Sequence, residues 1–269
     1  VFPLHVWLPN AYNYAPHAAT VFLAACATKV ALYVLLSFDF VVFQQNLLGH
    51  ETQFSAFLMP LAVLGILAAS AVALFEPNLK RLLAFSSVAQ IGYILLGASM
   101  ISMLGMTASL MHMFNHALAK GALFLVVMCL ATRLPSLELD ELAGVAKRMP
   151  WTMAAFVVGG LSLIGIPGTA GFTSKWYLIS ASLELDGGWL LIGVIVAGSL
   201  MAVAYIWRVV EVAWFREPKA EPGDVREAPT LMLAVTWLAA LANIYFGLAP
   251  WLQTTLATGG ARMLLGELP

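Results

Sequence analysis

Three lysines, Lys29, Lys120 and Lys175, lie inside long apolar runs of a 269-residue chain, and the runs that hold them contain no Asp or Glu. An ionisable group at bilayer depth costs at least about 2.5–3.5 kcal/mol, and such groups usually face a bundle interior or a wet cavity. With no carboxylate in the same spans, their expected partners are water, hydroxyls, histidines or groups outside this chain. Burial disfavours the charged form of an amine, so a lysine in a partly hydrated interior is suited to accept and release a proton. The alternative is snorkelling, in which the four-carbon stem carries the ammonium to the interface; Lys175, near the end of its run, is the best placed of the three for that.

His112, His116 and Lys120 follow one another at i, i+4 and i+8 in HMFNHALAK. At about 100° per residue they spread over only about 80° of a helix circumference and form one polar ladder. Histidine titrates near neutrality and offers two ring nitrogens, which suits proton hand-off. Two other readings of the ladder stay open: a set of satisfied core histidines, and a metal or quinone site using the i, i+4 pair. No carboxylate or Cys ligand accompanies that pair, so no metal or other cofactor is expected.

The stretch GIPGTAGFTSK, Gly165 to Lys175, places Pro167 and the glycines Gly165, Gly168 and Gly171 inside an apolar run. Proline removes a helical hydrogen bond, so a broken helix is expected, with Lys175 just beyond the break. Discontinuous helices at membrane depth recur at transporter ion sites; a kink that serves only packing is the competing reading.

These residues need a scaffold, and composition says which. The chain is 61% hydrophobic and 10% charged, against roughly 25% charge in an ordinary soluble domain. A near-neutral balance of 13 basic and 14 acidic residues leaves no basic stripe for nucleic acid. Cys26 and Cys129 both sit in apolar runs without a CxxC partner and report nothing on redox compartment. Uncharged windows of about 20 residues, the length that spans a bilayer, predict an all-α polytopic membrane protein. Seven transmembrane segments are expected: 16–38, 54–75, 82–100, 103–132, 149–177, 188–215 and 228–251. The third and fourth are divided near Ser102 because one helix of their joint length would overshoot the bilayer.

With that division the basic residues outside the interiors of the spans fall at alternate ends: Lys80 and Arg81; Arg133, Lys147 and Arg148; Arg208, near the inner end of its span, with Arg216, Lys219 and Arg226. The positive-inside rule then puts these loops on the cytoplasmic side and the C-terminus outside, with only Arg262 beyond the last span. Pro77 and Asn78 supply a helix-start signal before Lys80, for which membrane anchoring is the simplest role. Arg208 and Glu211, spaced i, i+3, are expected to pair, and Glu184 and Asp186 to lie in a solvated outer loop. A chain opening on VFPLHVWLPNAY, with neither Met nor a signal-peptide pattern, is expected to be an internal fragment.

FPLHVWLPNA (2–11), PNLKRLLAFSSVAQIGYILLG (77–97), HMFNHALAKGALF (112–124) and GIPGTAGFTSKW (165–176) together resemble the antiporter-like, proton-conducting subunits of respiratory complex I, Mrp-type cation/proton antiporters and membrane-bound hydrogenases. The resemblance extends over nearly the whole chain. It implies an inverted-repeat fold of fourteen or so helices, of which these seven would be the eighth to fourteenth. Lys29 matches the connecting lysine at the end of the first half-channel, His112, His116 and Lys120 the middle relay, and Lys175 the terminal broken-helix site, where some members carry Glu. Asn78 and Phe85 depart from the DLKR and AYSS patterns of the family. The first-half glutamate and lysine fall outside this chain, so it should not form a complete proton path alone. The tail after Gln253 shows no long amphipathic run, which argues against the largest complex I antiporter-like subunit.

The expected organisation is therefore 1–15, the end of a preceding broken helix with its connecting loop; 16–251, a proton-conducting membrane domain; and 252–269, an external tail. The expected function is proton translocation in the cell membrane, with no redox chemistry in this chain, beside other membrane subunits, lipid, and protons or in an antiporter sodium or another monovalent cation. A non-conducting scaffold subunit is the alternative.

Overall fold

The computed structural model describes residues 3–43, 50–217 and 226–266, and within these the architecture is all helical. A short helix α1 (Trp7–Tyr14) precedes α2 (His17–Phe22), which runs through a π-helical turn (Leu23–Ala27) into α3 (Thr28–Ser37) and a second π-helical stretch (Phe38–Phe43). There follow α4 (His50–Phe75), α5 (Leu79–Ser99), α6 (Met103–Ala131), α7 (Pro150–Ile164), α8 (Ala170–Leu183), α9 (Trp189–Phe215), α10 (Thr230–Leu248) and α11 (Trp251–Leu264). Among the described residues six stretches are long and apolar enough to cross a membrane: 17–42, 55–75, 79–99, 103–131, 189–215 and 230–248. The fifth expected span is two helices of 15 and 14 residues. At 1.5 Å per residue neither reaches across a hydrocarbon core of about 30 Å, so only the pair can form one crossing.

The expected division after Met100 is present. α5 ends at Ser99, Ile101 takes a positive φ of 46°, and Ser102 caps α6 by accepting from the Gly105 amide at 3.0 Å. Asn78 likewise caps α5, its Oδ1 accepting from the amides of Lys80 and Arg81 at 3.0 and 3.2 Å. Such caps satisfy amides that have no intrahelical partner.

α5 is buried along almost its whole length, and α6 packs on α5, α7, α8, α10 and α11. Lipid tails are as apolar as leucine, so close van der Waals packing between small residues must hold such a bundle together. α5 supplies them: Ala84, Ser86, Ser87, Ala89, Gly92, Gly97 and Ala98 are all buried. A Cβ on Gly92 would sit 2.9 Å from the Ala62 carbonyl of α4, and one on Gly97 2.7 Å from the Gly105 carbonyl of α6. Large apolar side chains cover the opposite faces: Leu64 and Val72 on α4, Leu200 and Trp207 on α9, Leu231 and Leu238 on α10 are exposed, as lipid- or partner-facing surfaces are.

The three basic loops meet at one end of the bundle. Leu79 and Leu139 exchange backbone bonds with Leu137 and Pro77 across the first two loops. The Glu227 carboxylate accepts from the Trp151 amide at 3.0 Å and from the Thr152 hydroxyl, while its carbonyl accepts from Arg133. Lys80 is buried and donates to the carbonyls of Asn13 and Ala15 at the end of α1, at 3.3 and 2.7 Å, so it anchors α1 to α5. The expected Arg208–Glu211 pair does not form. Arg208 reaches back to the C-terminus of α4 and donates to the carbonyls of Leu74 and Glu76 at 2.7 and 3.1 Å. Glu211 instead accepts from Arg216 at 3.1 and 3.2 Å and holds that exposed guanidinium above its ordinary range. The carbonyls at the end of α4 lack intrahelical donors, and the helix dipole favours a cation there.

Two predictions follow from this packing. Gly171→Ala pushes a methyl into the Ser162 carbonyl and is expected to cost about 1–3 kcal/mol of stability, as overpacking does, whereas Gly193→Ala, with nothing within 4 Å, leaves thermal unfolding of the purified protein unchanged. Arg208→Ala strips two carbonyls and is expected to cost about 1–3 kcal/mol, against less than about 1 kcal/mol for Glu211→Ala, read by the same thermal melts.

Candidate functional site

Each intramembrane lysine ends at an interruption of helical hydrogen bonding or at a hydroxyl-rich turn. The clearest case is the break between α7 and α8. Gly165, at φ +90°, turns the chain out of α7, so the last carbonyls of that helix lose their i+4 donors. Lys175, in the second turn of α8, supplies the replacement: its Nζ donates to the carbonyls of Leu163 and Ile164 at 3.2 and 2.8 Å and to the Ser199 hydroxyl of α9 at 2.9 Å. The ammonium also lies 4.7 Å from the centre of the Tyr93 ring. A cation at a helix C-terminus is favoured by the aligned peptide dipoles as well as by the hydrogen bonds. Gly171 permits this arrangement, since its backbone lies against the Ser162 carbonyl with no room for a Cβ.

Lys29 repeats the pattern at an interruption that carries no proline or glycine. The π-helical turn Leu23–Ala27 shifts the hydrogen-bond register, and Lys29 donates to the Ala24 carbonyl and to Thr28 Oγ1 at 3.3 Å. Lys120, completely buried, crosses from α6 to α5, where it donates to the Leu83 carbonyl at 2.7 Å and to the Ser86 hydroxyl. The partners expected from sequence were water, hydroxyls, histidines or groups outside this chain. Hydroxyls are present, but backbone carbonyls are the common partner of all three lysines. None of the three snorkels: their exposures are 8%, 0% and 5%.

The ladder on α6 is buried and points into the bundle. His112 is held from both sides, Nε2 at 2.9 Å from Gln90 Oε1 and Nδ1 at 2.8 Å from Ser174 Oγ. An amide oxygen only accepts, so Nε2 carries the proton in this arrangement and Nδ1 is the acceptor. Its ring stacks on that of His116, centroids 6.4 Å apart and planes inclined by 11°. His116 is 3% exposed and among the described residues neither of its ring nitrogens has a protein partner; His112 and Lys120 stand one turn before and after it on α6, which also packs on the π-helical turn beside Lys29. His116 is thus the junction of the cluster. Buried polar groups left without protein partners are ordinarily satisfied by water.

The structure therefore brings together Lys29, His112, His116 and Lys120, and places Lys175 beside His112 through Ser174 and Tyr93. Sequence reasoning missed Gln90, Ser86, Ser174 and Ser199. Gln90 and Ser86 share a buried helix in which amide and hydroxyl side chains recur among apolar ones, the one signal that could have pointed to them. Among the described residues no group of three or more His, Cys, Asp or Glu is placed to hold a metal ion.

Residues 1–202 match the family described as the transmembrane domain of NADH:quinone oxidoreductase and Mrp antiporters. The chain belongs to this family. It is 38% identical over 260 residues to NADH-quinone oxidoreductase subunit N of Desulforudis audaxviator, an alignment covering 92% of this chain and 51% of that protein. Among solved structures it superimposes on a chain of the Mrp complex from Dietzia sp. with a TM-score of 0.88 at 25% identity, covering 98% of this chain and 56% of the other. A chain of the membrane-bound sulfane sulfur reductase, an archaeal respiratory membrane complex, matches with a TM-score of 0.87 at 28% identity, covering 98% and 53%. The chain spans about half the length of the curated relatives it matches. Family membership and the long apolar helices make it a multi-pass membrane protein.

Gln90→Leu is expected to leave the His112 N–H buried without an acceptor, at about 1–3 kcal/mol, seen as a lowered melting temperature of the assembled protein. Ser199→Ala, which leaves Lys175 its two carbonyls, should cost less.

Proposed function

We propose that this chain is part of a proton-translocating, antiporter-like membrane subunit in which Lys29, the ladder of Lys120, His116 and His112, and the terminal Lys175 exchange protons through side chains and intervening water. The observation that carries this reading is His116, a buried histidine whose two ring nitrogens have no protein partner among the described residues, on the helix that also carries His112 and Lys120 and packs on the π-helical turn beside Lys29. Charge on one buried group alters the proton affinity of the next, so protons entering at one end drive those at the other stepwise. The interruptions at Leu23–Ala27 and Gly165–Thr169 hold the two outer lysines on carbonyl cradles that stay polar whichever way the proton moves. Energy for transport would come from outside the chain, from electron transfer in partner subunits or from an existing ion gradient.

The same reading places the subunit in the cell membrane with the basic end of the bundle in the cytoplasm and the C-terminus outside. Its partners would be other membrane subunits of a hetero-oligomeric complex, in keeping with the assemblies in which its structural neighbours were solved. Sodium or another monovalent cation is the second cargo in the antiporter form of this reading.

A non-conducting scaffold is the second reading, and one observation favours it: every intramembrane lysine already has protein acceptors, so all three can serve only to tie backbone and hydroxyl groups together. Full-length protein with its partner subunits in liposomes separates the two. Lys120→Ala and Lys175→Ala are expected to abolish or strongly reduce proton movement in complexes that assemble normally. Unchanged transport in both variants would remove the relay and leave the scaffold.

A further inference from the structure

A second polar cluster lies on the far side of α8 from Lys175, where two helix breaks meet. The first is the α7–α8 interruption. The second separates α10 from α11 at Ala249 and Pro250, residues outside helical geometry or at its edge. α10 is pressed onto the first break, since a Cβ on Gly247 would sit 2.5 Å from the Gly168 carbonyl. Gln253, in the first turn of α11, caps the interrupted α10 much as Lys175 caps α7, its Nε2 donating to the Phe246 carbonyl at 2.8 Å.

Gln253 Nε2 also donates to Thr173 Oγ1 at 3.2 Å, and the same hydroxyl receives the Asn115 amide at 3.3 Å while donating to the Ala170 carbonyl at 2.8 Å. Asn115 Nδ2 bonds the Ala170 carbonyl directly at 2.7 Å, which fixes the amide's orientation, because reversing it would set two acceptors against each other. Every donor in the cluster is thereby used. What remains is an excess of acceptors: Asn115 Oδ1 and Gln253 Oε1 are buried without partners, on residues 1% and 5% exposed. Each of these orphan oxygens requires a ligand that brings donors of its own.

Position decides what that ligand does. Asn115 stands on α6 between His112 and His116, and Gln253 is, among the described residues, the one polar residue lining an otherwise apolar cavity of about 420 Å³ among α6, α10 and α11. We propose that Asn115, Thr173 and Gln253 form an acceptor-lined site for water or its protonated form, a side branch that connects the middle of the histidine ladder to the α10–α11 break. The site contains no titratable side chain, so it passes protons along hydrogen-bonded donors without storing them. This inference rests on the proton-relay reading above.

The test uses the full-length subunit in its complex. A high-resolution cryo-electron microscopy map is expected to show ordered solvent within hydrogen-bond distance of both Asn115 Oδ1 and Gln253 Oε1. In liposomes Gln253→Leu should lower proton translocation at least several-fold with assembly intact. Wild-type rates in Gln253→Leu alongside loss of transport in Lys120→Ala would overturn the branch and leave the relay standing. Wild-type rates in both would overturn the relay itself. If Gln253→Leu fails to assemble, the wild-type map decides: a site without ordered solvent overturns the proposal.

Discussion

A backbone carbonyl released from its helix and satisfied by a buried lysine is the interaction on which the rest of this structure depends. In hydrocarbon an unsatisfied carbonyl costs several kcal/mol, and so does an unaccompanied ammonium. Put together, each answers the other's need without a carboxylate. Lys175 on the carbonyls of Leu163 and Ile164, and Lys29 on that of Ala24, are two instances. Arg208 on Leu74 and Glu76 and Lys80 on Asn13 and Ala15 are the same bond at helix ends. A carboxylate partner would lock a lysine in its charged state; a carbonyl is a neutral dipole and binds it less tightly.

The packing follows from this need. The breaks require α5 and α6 to lie close enough to deliver Gln90, Ser86 and Tyr93 to the ladder, and the small residues of α5 allow it. Gly92, Gly97 and Gly105 bring backbones to separations that any side chain would forbid. The outer helices, by contrast, present large apolar residues outward and carry few polar groups inward. A polar interior and an apolar exterior are thus separated by helix, with α6 as the axis.

Much of this was legible from residues alone. Lys29, Lys120 and Lys175 stand out because charge in an apolar run is rare, and His112, His116 and Lys120 because their spacing matches a helix face. GIPG announces the α7–α8 break through proline and glycine. The π-helical turn at LAACA announces nothing, since its residues are ordinary helix formers and the register shift comes from packing. The stretch 252–269, expected as an external tail after the last span, forms most of α11, which packs on α6 with Ala261 and Leu264 in one cluster with Met106. The Arg208–Glu211 pairing failed because i, i+3 spacing describes one helix and takes no account of the carbonyls of α4.

The sequence by itself determined the class of protein, the crossings, the basic end and the identities of the ionisable groups, because each depends on residue type and spacing along a single helix. Tertiary structure alone decided what those groups touch: which carbonyls the breaks released, which hydroxyls face the lysines, and that His116 is left without a partner at the centre. Contacts between helices are set by how small and large side chains interlock in three dimensions, and no periodicity along one chain records that.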